Sequence, residues 1–416
     1  MIGAGYAGVM ATNRLLSSLT PAEADRVRVT VVNPRAEFVE RIRLHELAAG
    51  SRASVFLPLA DTLHKNARLL VGIALDIASD ARAVTVATAA GDVTERYDFL
   101  IYAPGSAAST PVPGAREHAH LLADLEGAQT AARQLAGAAS GSKVVVLGGG
   151  FTGVEAAAEI AERRPGLDVT LLSHGPVVGQ MRPQARQSIR RRLTQLGVHL
   201  DEHATAERIT ESAVTLSDGR TVDFDACIVA LSFTAPNLAQ SSGLSVDGDG
   251  RLRVDETLRC INAPDIIGAG DAIVTPDTVG AHLRMSCAAA LPLGGHAAET
   301  VLHLIRGETP SPISIGFVMQ CISLGRTDGY IQFVRSNDSA RIGRLTGRKA
   351  AWLKERICRL VVDGPIKERH TPGAYHALKG PPRSSVERDH PLSSTQENSI
   401  TKQAALVIET HRAGER

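Results

Sequence analysis

The chain has 416 residues, more than one ordinary domain needs, which predicts two or three packed domains. Its 45 basic and 44 acidic side chains nearly cancel, which excludes a global electrostatic attraction to nucleic acid. No apolar run reaches the roughly 18 residues of a membrane span, no signal peptide is evident, and the five cysteines form no close pair, so we expect a cytoplasmic protein with free thiols.

Short Val- and Ile-rich runs alternate with Ala-rich stretches through about residue 305, the pattern of an α/β fold with parallel sheets. The predicted strands are Val27–Val32, Lys143–Leu147, Val169–Leu172 and Cys227–Leu231. Turn pairs at Asp218-Gly219 and at Asp247–Gly250 predict small β-hairpins. From residue 311 the texture becomes aromatic and β-branched, with a helix predicted over Gly347–Val361. Beyond Asp363 the composition predicts a disordered tail.

The first glycine-rich turn contains Gly3, Gly5 and Gly8 and opens a helix predicted over Val9–Leu19. In such a turn the first glycine permits the tight bend, the second lets a diphosphate approach the backbone, and the third lets helix and strand pack closely. The helix N-terminus then faces the diphosphate with free N–H groups. Only Met1 and Ile2 precede the turn, although a strand of about five residues is usual, so we expect the true start upstream.

The second glycine-rich turn contains Gly148, Gly150 and Gly153, follows the strand Lys143–Leu147 and opens a helix predicted over Val154–Arg163. Two complete fingerprints predict two dinucleotide sites, whereas a dehydrogenase with one cofactor needs only one. A third turn, at Gly270 and Asp271, ends a short apolar strand.

In this order, and with Ala103-Pro104-Gly105 between the fingerprints, the motifs resemble those of the FAD-dependent pyridine nucleotide oxidoreductases. The similarity is to the branch of type II NADH dehydrogenases and apoptosis-inducing-factor-like proteins, and it covers about residues 1–362. It implies two Rossmann-like domains, with the NAD(P)H domain inserted into the FAD domain, and a small α+β C-terminal domain. The implied boundaries are 1–108 and 239–310 for the FAD domain, 109–238 for the NAD(P)H domain, 311–362 for the C-terminal domain and 363–416 for the tail.

The resemblance also implies site residues. FAD would lie on Gly3, Gly5, Gly8, Gly105, Gly270 and Asp271, with Asp271 on the ribityl chain, and NADH or NADPH on Gly148, Gly150 and Gly153. The acidic residue that usually holds a ribose hydroxyl is replaced by Asn33, near Arg35, in the first site and by Ser173 in the second. The sequence therefore does not distinguish NADH from NADPH as the hydride donor. Glu155 matches a glutamate near the nicotinamide–flavin contact, where it positions the nicotinamide or relays a proton; the alternative is a first-turn helix carboxylate.

The simplest mechanism implied is hydride transfer from nicotinamide to flavin, followed by electron exit to a small acceptor such as a quinone. No cysteine follows the first fingerprint where dithiol reductases carry a pair. A helix beginning near Arg284 would stabilise negative charge on the reduced flavin, with Arg284 adding to it or lying on a solvated flank. Two alternatives are an NAD(P)H-responsive redox sensor or interaction protein, and a reductase of a small iron–sulfur carrier.

Other features leave the partners open. In the helix Arg348–Leu360, Leu353, Ile357 and Leu360 share a face that either packs on the protein or contacts the inner face of the cell membrane peripherally. The run Arg190–Arg192 lacks the interleaved aromatic residues of a nucleic-acid site, so we expect no nucleic-acid partner, and either a solvated face or a contact with a 2′-phosphate. His45, His174 and His282 are too scattered for a metal site. A homodimer is consistent with these features.

Overall fold

A computed structural model describes residues 1–108, 111–231 and 233–382. The chain builds two Rossmann-like α/β units and a smaller C-terminal unit. In the first unit, Val29–Asn33 pairs in parallel with Ala67–Val71, and Leu100–Tyr102 pairs in parallel with Ala263–Gly268. Ile2 bridges these two pairs by parallel contacts with Val32 and Tyr102, so a stub of chain joins them into one sheet.

The chain thus leaves this sheet after Tyr102 and returns to it with Arg259–Cys260 and Ala263–Gly268. The helix Tyr6–Ser17 packs against the helix Cys287–Arg306, which joins the two separated segments. A Cβ on Gly294 would lie 2.3 Å from the Ala7 carbonyl oxygen. Glycine is therefore required where the two helix backbones approach each other.

The second unit holds a five-stranded parallel sheet. Its strands, in spatial order, are His120–Leu121, Ala226–Val229, Lys143–Leu147, Asp168–Ser173 and His199–Glu202. Its helices are Leu125–Gly137, Phe151–Arg163 and Pro183–Gln195. The predicted strand Lys143–Leu147 is confirmed at both ends, because its run of Val residues is buried on both faces of the sheet.

These two units also contain two antiparallel three-stranded sheets. Their strands are Ile73–Ala78, Ala83–Thr88 and Gly91–Arg96 in one, and Ala206–Ile209, Ala213–Leu216 and Thr221–Asp223 in the other. Both predicted hairpins are confirmed: Asp218-Gly219 lies between two paired strands of the second sheet, and Val246 bridges Leu252 antiparallel across Asp247–Gly250.

Shorter elements connect the units. The helices and helical turns are Pro21–Ala24, Arg41–Arg43, Leu44–Ala49, Leu59–Thr62, Ala115–His118, Leu238–Ser241, Gly270–Ala272 and Asp277–Gly280. The short strands are Glu37–Val39, Phe56–Pro58, Ala107–Ala108, Phe233–Thr234, Leu252–Arg253, Arg259–Cys260 and Ile273–Val274.

The C-terminal unit is an antiparallel sheet of Met319–Ser323, Gly329–Val334 and Ala340–Thr346, followed by the helix Gly347–Glu368. This C-terminal helix continues past Val361, where the sequence pattern predicted its end. Residues 363–368 thus belong to the helix and not to a disordered tail, and an ion pair between Glu368 and Arg14 at 2.7 Å holds its last turn. Residues 369–382 lie mostly on the surface, where Gly316 N donates to the Leu378 carbonyl at 2.8 Å. The rest of the predicted tail, 383–416, lies outside the described residues.

Within those described ranges, no helix combines the length and the apolar character needed to cross a membrane.

Candidate functional site

The first and third glycines of both fingerprints lie where no side chain fits. Gly3 and Gly148 have positive φ, +93° and +122°. A Cβ on Gly3 would lie 2.2 Å from the Ala103 carbonyl oxygen, and a Cβ on Gly148 would lie 2.3 Å from the Ala230 carbonyl oxygen. A Cβ on Gly8 or Gly153 would lie 2.0 or 1.8 Å from the carbonyl oxygen of the first glycine. These four positions therefore build the strand–turn–helix, as the spacing predicted.

The middle glycines differ from the other two, because their outer face is open. A Cβ on Gly5 or Gly150 would meet nothing within 4 Å. Each precedes its helix, Tyr6–Ser17 or Phe151–Arg163, without a side-chain cap and without an acidic residue in the first turn. Free N–H groups and an uncompensated helix dipole thus face open space, which fits the diphosphate of a dinucleotide at both turns.

The side chains of Asn33 and Ser173, the predicted ribose contacts, form hydrogen bonds with backbone groups in this structure. Asn33 Oδ1 accepts from Ala4 N at 3.0 Å, and its Nδ2 donates to the Arg35 carbonyl at 2.7 Å. Ser173 Oγ donates to a carbonyl two residues on at 2.6 Å. The predicted contact Arg35 forms an ion pair with Glu126 at 2.9 Å. Asn33 and Arg35 therefore lie at the edge of the first glycine-rich turn, and Ser173 lies at the edge of the second.

Asp271 lies where two segments of the first unit meet. The preceding Gly270 has φ +78°, and Asp271 Oδ2 accepts from Ser106 Oγ at 3.1 Å. The backbone N–H of Ser286, which caps the helix Cys287–Arg306, also donates to it, and burial raises its pKa. Gly105, with φ +74°, directly precedes Ser106. The Gly105 and Gly270 turns thus converge on one buried carboxyl group.

Arg41 is a site residue that the sequence analysis missed. Its guanidinium donates to the carbonyls of Ser106 at 2.7 Å and Ala123 at 2.8 Å. Burial lowers the pKa of Arg41, and Asp271 counteracts this. The guanidinium thus places positive charge beside Asp271. Its local sequence carries no motif, so only the fold could reveal it.

Glu155 is 7% exposed and forms an ion pair with Lys354 of the C-terminal helix at 3.1 Å. Ser323 donates to the same carboxylate oxygen, from its backbone N at 2.9 Å and from Oγ at 3.2 Å. Burial alone would raise the pKa of Glu155, but Lys354 and His45 outweigh it and hold the pKa below its ordinary value. Glu155 is therefore an ionised group shared between the second and C-terminal units.

Lys354 lies on the inner side of the C-terminal helix. Its side chain is only 16% exposed. Burial opposes its charge, but Cys321, Glu155 and other neighbours raise its pKa well above the ordinary value. The compensating carboxylate lies in another unit, which explains why a lysine occupies an interior position.

Three free cysteines surround Lys354: Cys287, Cys321 and Cys358. Burial raises the pKa of Cys287 to about 11 and that of Cys358 to about 12, so these two remain neutral thiols at physiological pH.

The apolar face predicted from Leu353, Ile357 and Leu360 is not the packing face. Leu360 is 56% exposed, Trp352 is 66% exposed, and the other two are half-buried. The side chains that face the protein are Ala350, Lys354, Cys358, Val361, Val362 and Pro365. Trp352, Arg356 and Leu360, spaced by four residues, therefore form an outward stripe of two apolar side chains and one basic side chain.

Arg284 precedes the helix Cys287–Arg306, as predicted, but its charge is engaged by the C-terminal unit. Its Nε lies 3.1 Å from Asp338 Oδ2, and its guanidinium lies over the Phe317 ring at 4.8 Å. Ser286 caps this helix by accepting from Ala289 N at 3.3 Å.

The remaining candidates are held in local contacts. Arg190 pairs with Glu202 at 3.0 Å, and Arg192 pairs with Glu162 at 2.9 Å. His174 contacts Thr205 Oγ1 at 2.7 Å, and His282 contacts a backbone carbonyl at 2.6 Å. Across the described parts of the chain, His, Cys, Asp and Glu form no cluster suited to a metal ion.

Comparison with known proteins bears on these observations. The sequence profile described as "Pyridine nucleotide-disulphide oxidoreductase" matches residues 1–289. An NADH dehydrogenase-like protein of Mycobacterium tuberculosis is 29% identical over 352 residues, which cover 78% of this chain and 85% of that protein. A type II NADH:quinone oxidoreductase of Staphylococcus haemolyticus is 24% identical over 393 residues, covering 86% and 93%. The structure of NDH2 from Plasmodium falciparum superposes with a TM-score of 0.73 at 14% identity, covering 90% of this chain and 98% of that one.

Proposed function

This chain belongs to the pyridine nucleotide-disulphide oxidoreductase family, and from that premise we propose an FAD-dependent NAD(P)H dehydrogenase that passes electrons to a quinone or similar small acceptor. The observation that carries the proposal is the pair of open fingerprint turns, at Gly5 and Gly150, in one chain with the buried Glu155–Lys354 pair. Two dinucleotide cradles suit one cofactor that gives hydride and one that accepts it.

FAD, when bound, would accept two electrons as hydride and release them to the acceptor. We assign the turn of Gly3, Gly5 and Gly8 to its diphosphate, and Asp271 to its ribityl chain. Arg41 holds Asp271 electrostatically, and the capped N-terminus of the helix Cys287–Arg306 supplies positive potential. These groups lie in the proposed FAD domain, 1–108 and 239–310.

NADH or NADPH would lie on Gly148, Gly150 and Gly153, in the proposed domain 109–238. The Ser173 side chain is neutral and donates a hydrogen bond to a backbone carbonyl. No negative charge at that position therefore repels a 2′-phosphate. Both nucleotides stay candidates, and a comparison of their KM values distinguishes them.

We assign Glu155 to the acceptor chemistry rather than to capping its helix. Its carboxylate is fixed by Lys354 and by Ser323 of the C-terminal unit, and helix capping requires neither contact. In this buried pair Glu155 is ionised and Lys354 carries the proton, so the pair can give a proton to a reduced acceptor and take one up again. Lys354 keeps the carboxylate ionised between turnovers.

The test is anaerobic titration of the purified flavoprotein with NADH or NADPH, followed by mixing with a water-soluble quinone. We expect the visible flavin band to bleach and then to return rapidly. The variant Glu155→Gln should slow the return about 10²-fold, as loss of a general acid or base does, with little change in bleaching. Slow bleaching with a long-lived charge-transfer band would favour a redox sensor instead, and reoxidation only by a small iron–sulfur protein would favour that acceptor. A protein that cannot be reconstituted with FAD would overturn all three.

We propose a cytoplasmic location with peripheral attachment to the inner face of the cell membrane, as suits an enzyme that reaches a lipid-soluble quinone. The support is the outward stripe of Trp352, Arg356 and Leu360, which places a basic side chain between two exposed apolar ones, with the exposed Arg359 beside it. A homodimer remains part of the proposal, and light scattering of the purified protein tests it.

A further inference from the structure

The helix Phe151–Arg163 carries three carboxylates on one face. Glu155, Glu159 and Glu162 are spaced by four and three residues, which places them one above another with roughly 5–6 Å between neighbouring Cβ atoms. The inner one, Glu155, belongs to the buried pair with Lys354. The outer one, Glu162, has a side chain that is 21% exposed. This carboxylate stripe therefore leads from the surface to the proposed site.

The middle carboxylate, Glu159, is 1% exposed, and neither of its oxygens has a hydrogen bond of good geometry to a described residue. The nearest cation is Arg326, whose Nη1 lies 3.7 Å from Glu159 Oε1 but 2.8 Å from Glu46. A buried polar group without a hydrogen bond destabilises the folded state. A position that retains such a group calls for an explanation other than stability.

The surroundings of Glu159 allow its carboxyl group to bind and release a proton near neutral pH. Burial raises its pKa to about 7. Ser51 and Arg326 counteract burial, while Glu46 from a neighbouring helix and Glu162 from the same helix add to it. Both protonation states are therefore populated at physiological pH, which is the property that an efficient proton carrier needs.

His45 is a second buried group, and one of its ring nitrogens has no hydrogen-bond partner among the described residues. It is 3% exposed, its Nε2 makes no hydrogen bond to a described residue, and burial lowers its pKa. The charged side chains that face it are Glu155, Glu46, Lys354 and Arg326. It shares Glu46 and Arg326 with Glu159. A neutral imidazole carries one donor and one acceptor nitrogen, so it can pass a proton between two neighbours.

We propose that Glu159 and His45 form a proton path that connects solvent, at the Glu162 end of the stripe, to Glu155. The inference rests on the proposed quinone reductase activity. In NADH + H⁺ + quinone → NAD⁺ + quinol, hydride brings two electrons and one proton, whereas the quinone takes up two of each. One proton per turnover must therefore come from solvent, and Glu155 at 7% exposure needs a route to it. Glu159 and His45 act through Glu155 and are positioning residues for the proton.

The test uses the full-length, FAD-loaded protein and the variant Glu159→Gln. Glutamine keeps the shape of the protonated carboxyl group but cannot give up and regain a proton. Stopped-flow bleaching by NADH should be unchanged, because hydride transfer takes no proton from solvent. Reoxidation by a water-soluble quinone at pH 7 should slow about 10²-fold, with an increased solvent deuterium isotope effect. Glu159→Asp, which keeps a titratable group, should recover part of the rate.

Glu355→Gln is the matched control. Glu355 pairs with Arg43 at 2.9 Å and with Arg326 at 3.1 Å, so this variant disturbs the same ion network outside the proposed path. It should lower thermal stability and leave the isotope effect of reoxidation unchanged. If Glu159→Gln does not fold, His45→Gln carries the same expectation.

Two results are decisive against the path. If Glu159→Gln reoxidises at the wild-type rate with an unchanged isotope effect, the path is wrong and the proposed function stands. If the wild-type protein is bleached by NADH but no quinone reoxidises it, the proposed function fails and the path fails with it.

Discussion

The three glycines of each fingerprint have different tasks, and alanine substitution separates them. Gly8→Ala would place a Cβ 2.0 Å from the Gly3 carbonyl oxygen, whereas Gly5→Ala would meet no protein atom within 4 Å. We expect Gly8→Ala to destabilise the FAD unit by several kcal/mol, at the upper end of point-mutant effects. Gly5→Ala should leave apoprotein stability nearly unchanged and weaken FAD binding. Thermal melts of apoprotein and fluorimetric FAD titrations measure both, and equal losses of stability would contradict the assignment.

Glu159 should also give the protein an unusual dependence of stability on pH. Its pKa rises from 4.5 to about 7 on folding, so the folded state binds the proton more tightly. The contribution of Glu159 is therefore fully present below about pH 4.5 and is lost as pH rises through 7. One pKa unit corresponds to about 1.4 kcal/mol, so the loss is on the order of 3 kcal/mol.

Denaturant unfolding of wild type and Glu159→Gln between pH 5 and 8 measures this contribution, and the difference between them should shrink towards zero at low pH. Buried His45 has a lowered pKa and acts in the opposite sense, but it is common to both proteins. A difference that does not change with pH would show that Glu159 titrates normally.

At the scale of single elements, the strands were more predictable than the faces of the helices. In Lys143–Leu147 every residue after Lys143 is buried, so composition alone marks the strand. The C-terminal helix could not be oriented this way, because its interior side includes Lys354. That lysine is tolerated only because Glu155, remote in sequence, lies opposite. The carboxylate spacing of Glu155, Glu159 and Glu162 was legible in the sequence, but their burial was not.

The outward stripe of the C-terminal helix makes a testable prediction about membranes. Trp352 is 66% exposed, and the Arg356 guanidinium lies 5.9 Å from its ring centroid, an arrangement suited to an anionic bilayer surface. We expect Trp352→Ala to weaken co-sedimentation with phosphatidylglycerol vesicles, with bleaching by NADH unchanged. Arg133→Ala, on a helix of the second unit, is the control and should bind as wild type. Equal binding by all three proteins would contradict a membrane role for this stripe.

At the scale of the whole molecule, buried ion pairs join segments that are far apart in the chain. Arg43, 1% exposed, contacts Glu46 at 3.0 Å and Glu355 of the C-terminal helix at 2.9 Å. Glu155 and Lys354 join the second unit to the same helix. No local sequence pattern encodes such pairs. The motifs therefore predicted an order of domains, but the sequence did not predict the ion pairs between them. The C-terminal helix is thereby fixed against both dinucleotide units.

The last of these pairs holds the end of the C-terminal helix against the first unit. Arg14, in the helix that opens at the first fingerprint, contacts Glu368 through Nη2 at 2.7 Å and Nε at 3.2 Å, and the Glu368 side chain is fully buried. Ending the chain after residue 362, where the composition changes, would remove that carboxylate. Loss of one partner of a buried pair costs about 3–5 kcal/mol. We therefore expect the shortened protein to melt at lower temperature and to lose FAD more readily, because Arg14 lies in the helix that we propose binds FAD. Glu368→Gln in the full chain should reproduce most of the loss, whereas a chain ending after residue 382 keeps every described contact and should retain FAD. If the chain ending at 362 matched the full chain in melting temperature and FAD retention, the C-terminal helix would not stabilise the first fingerprint.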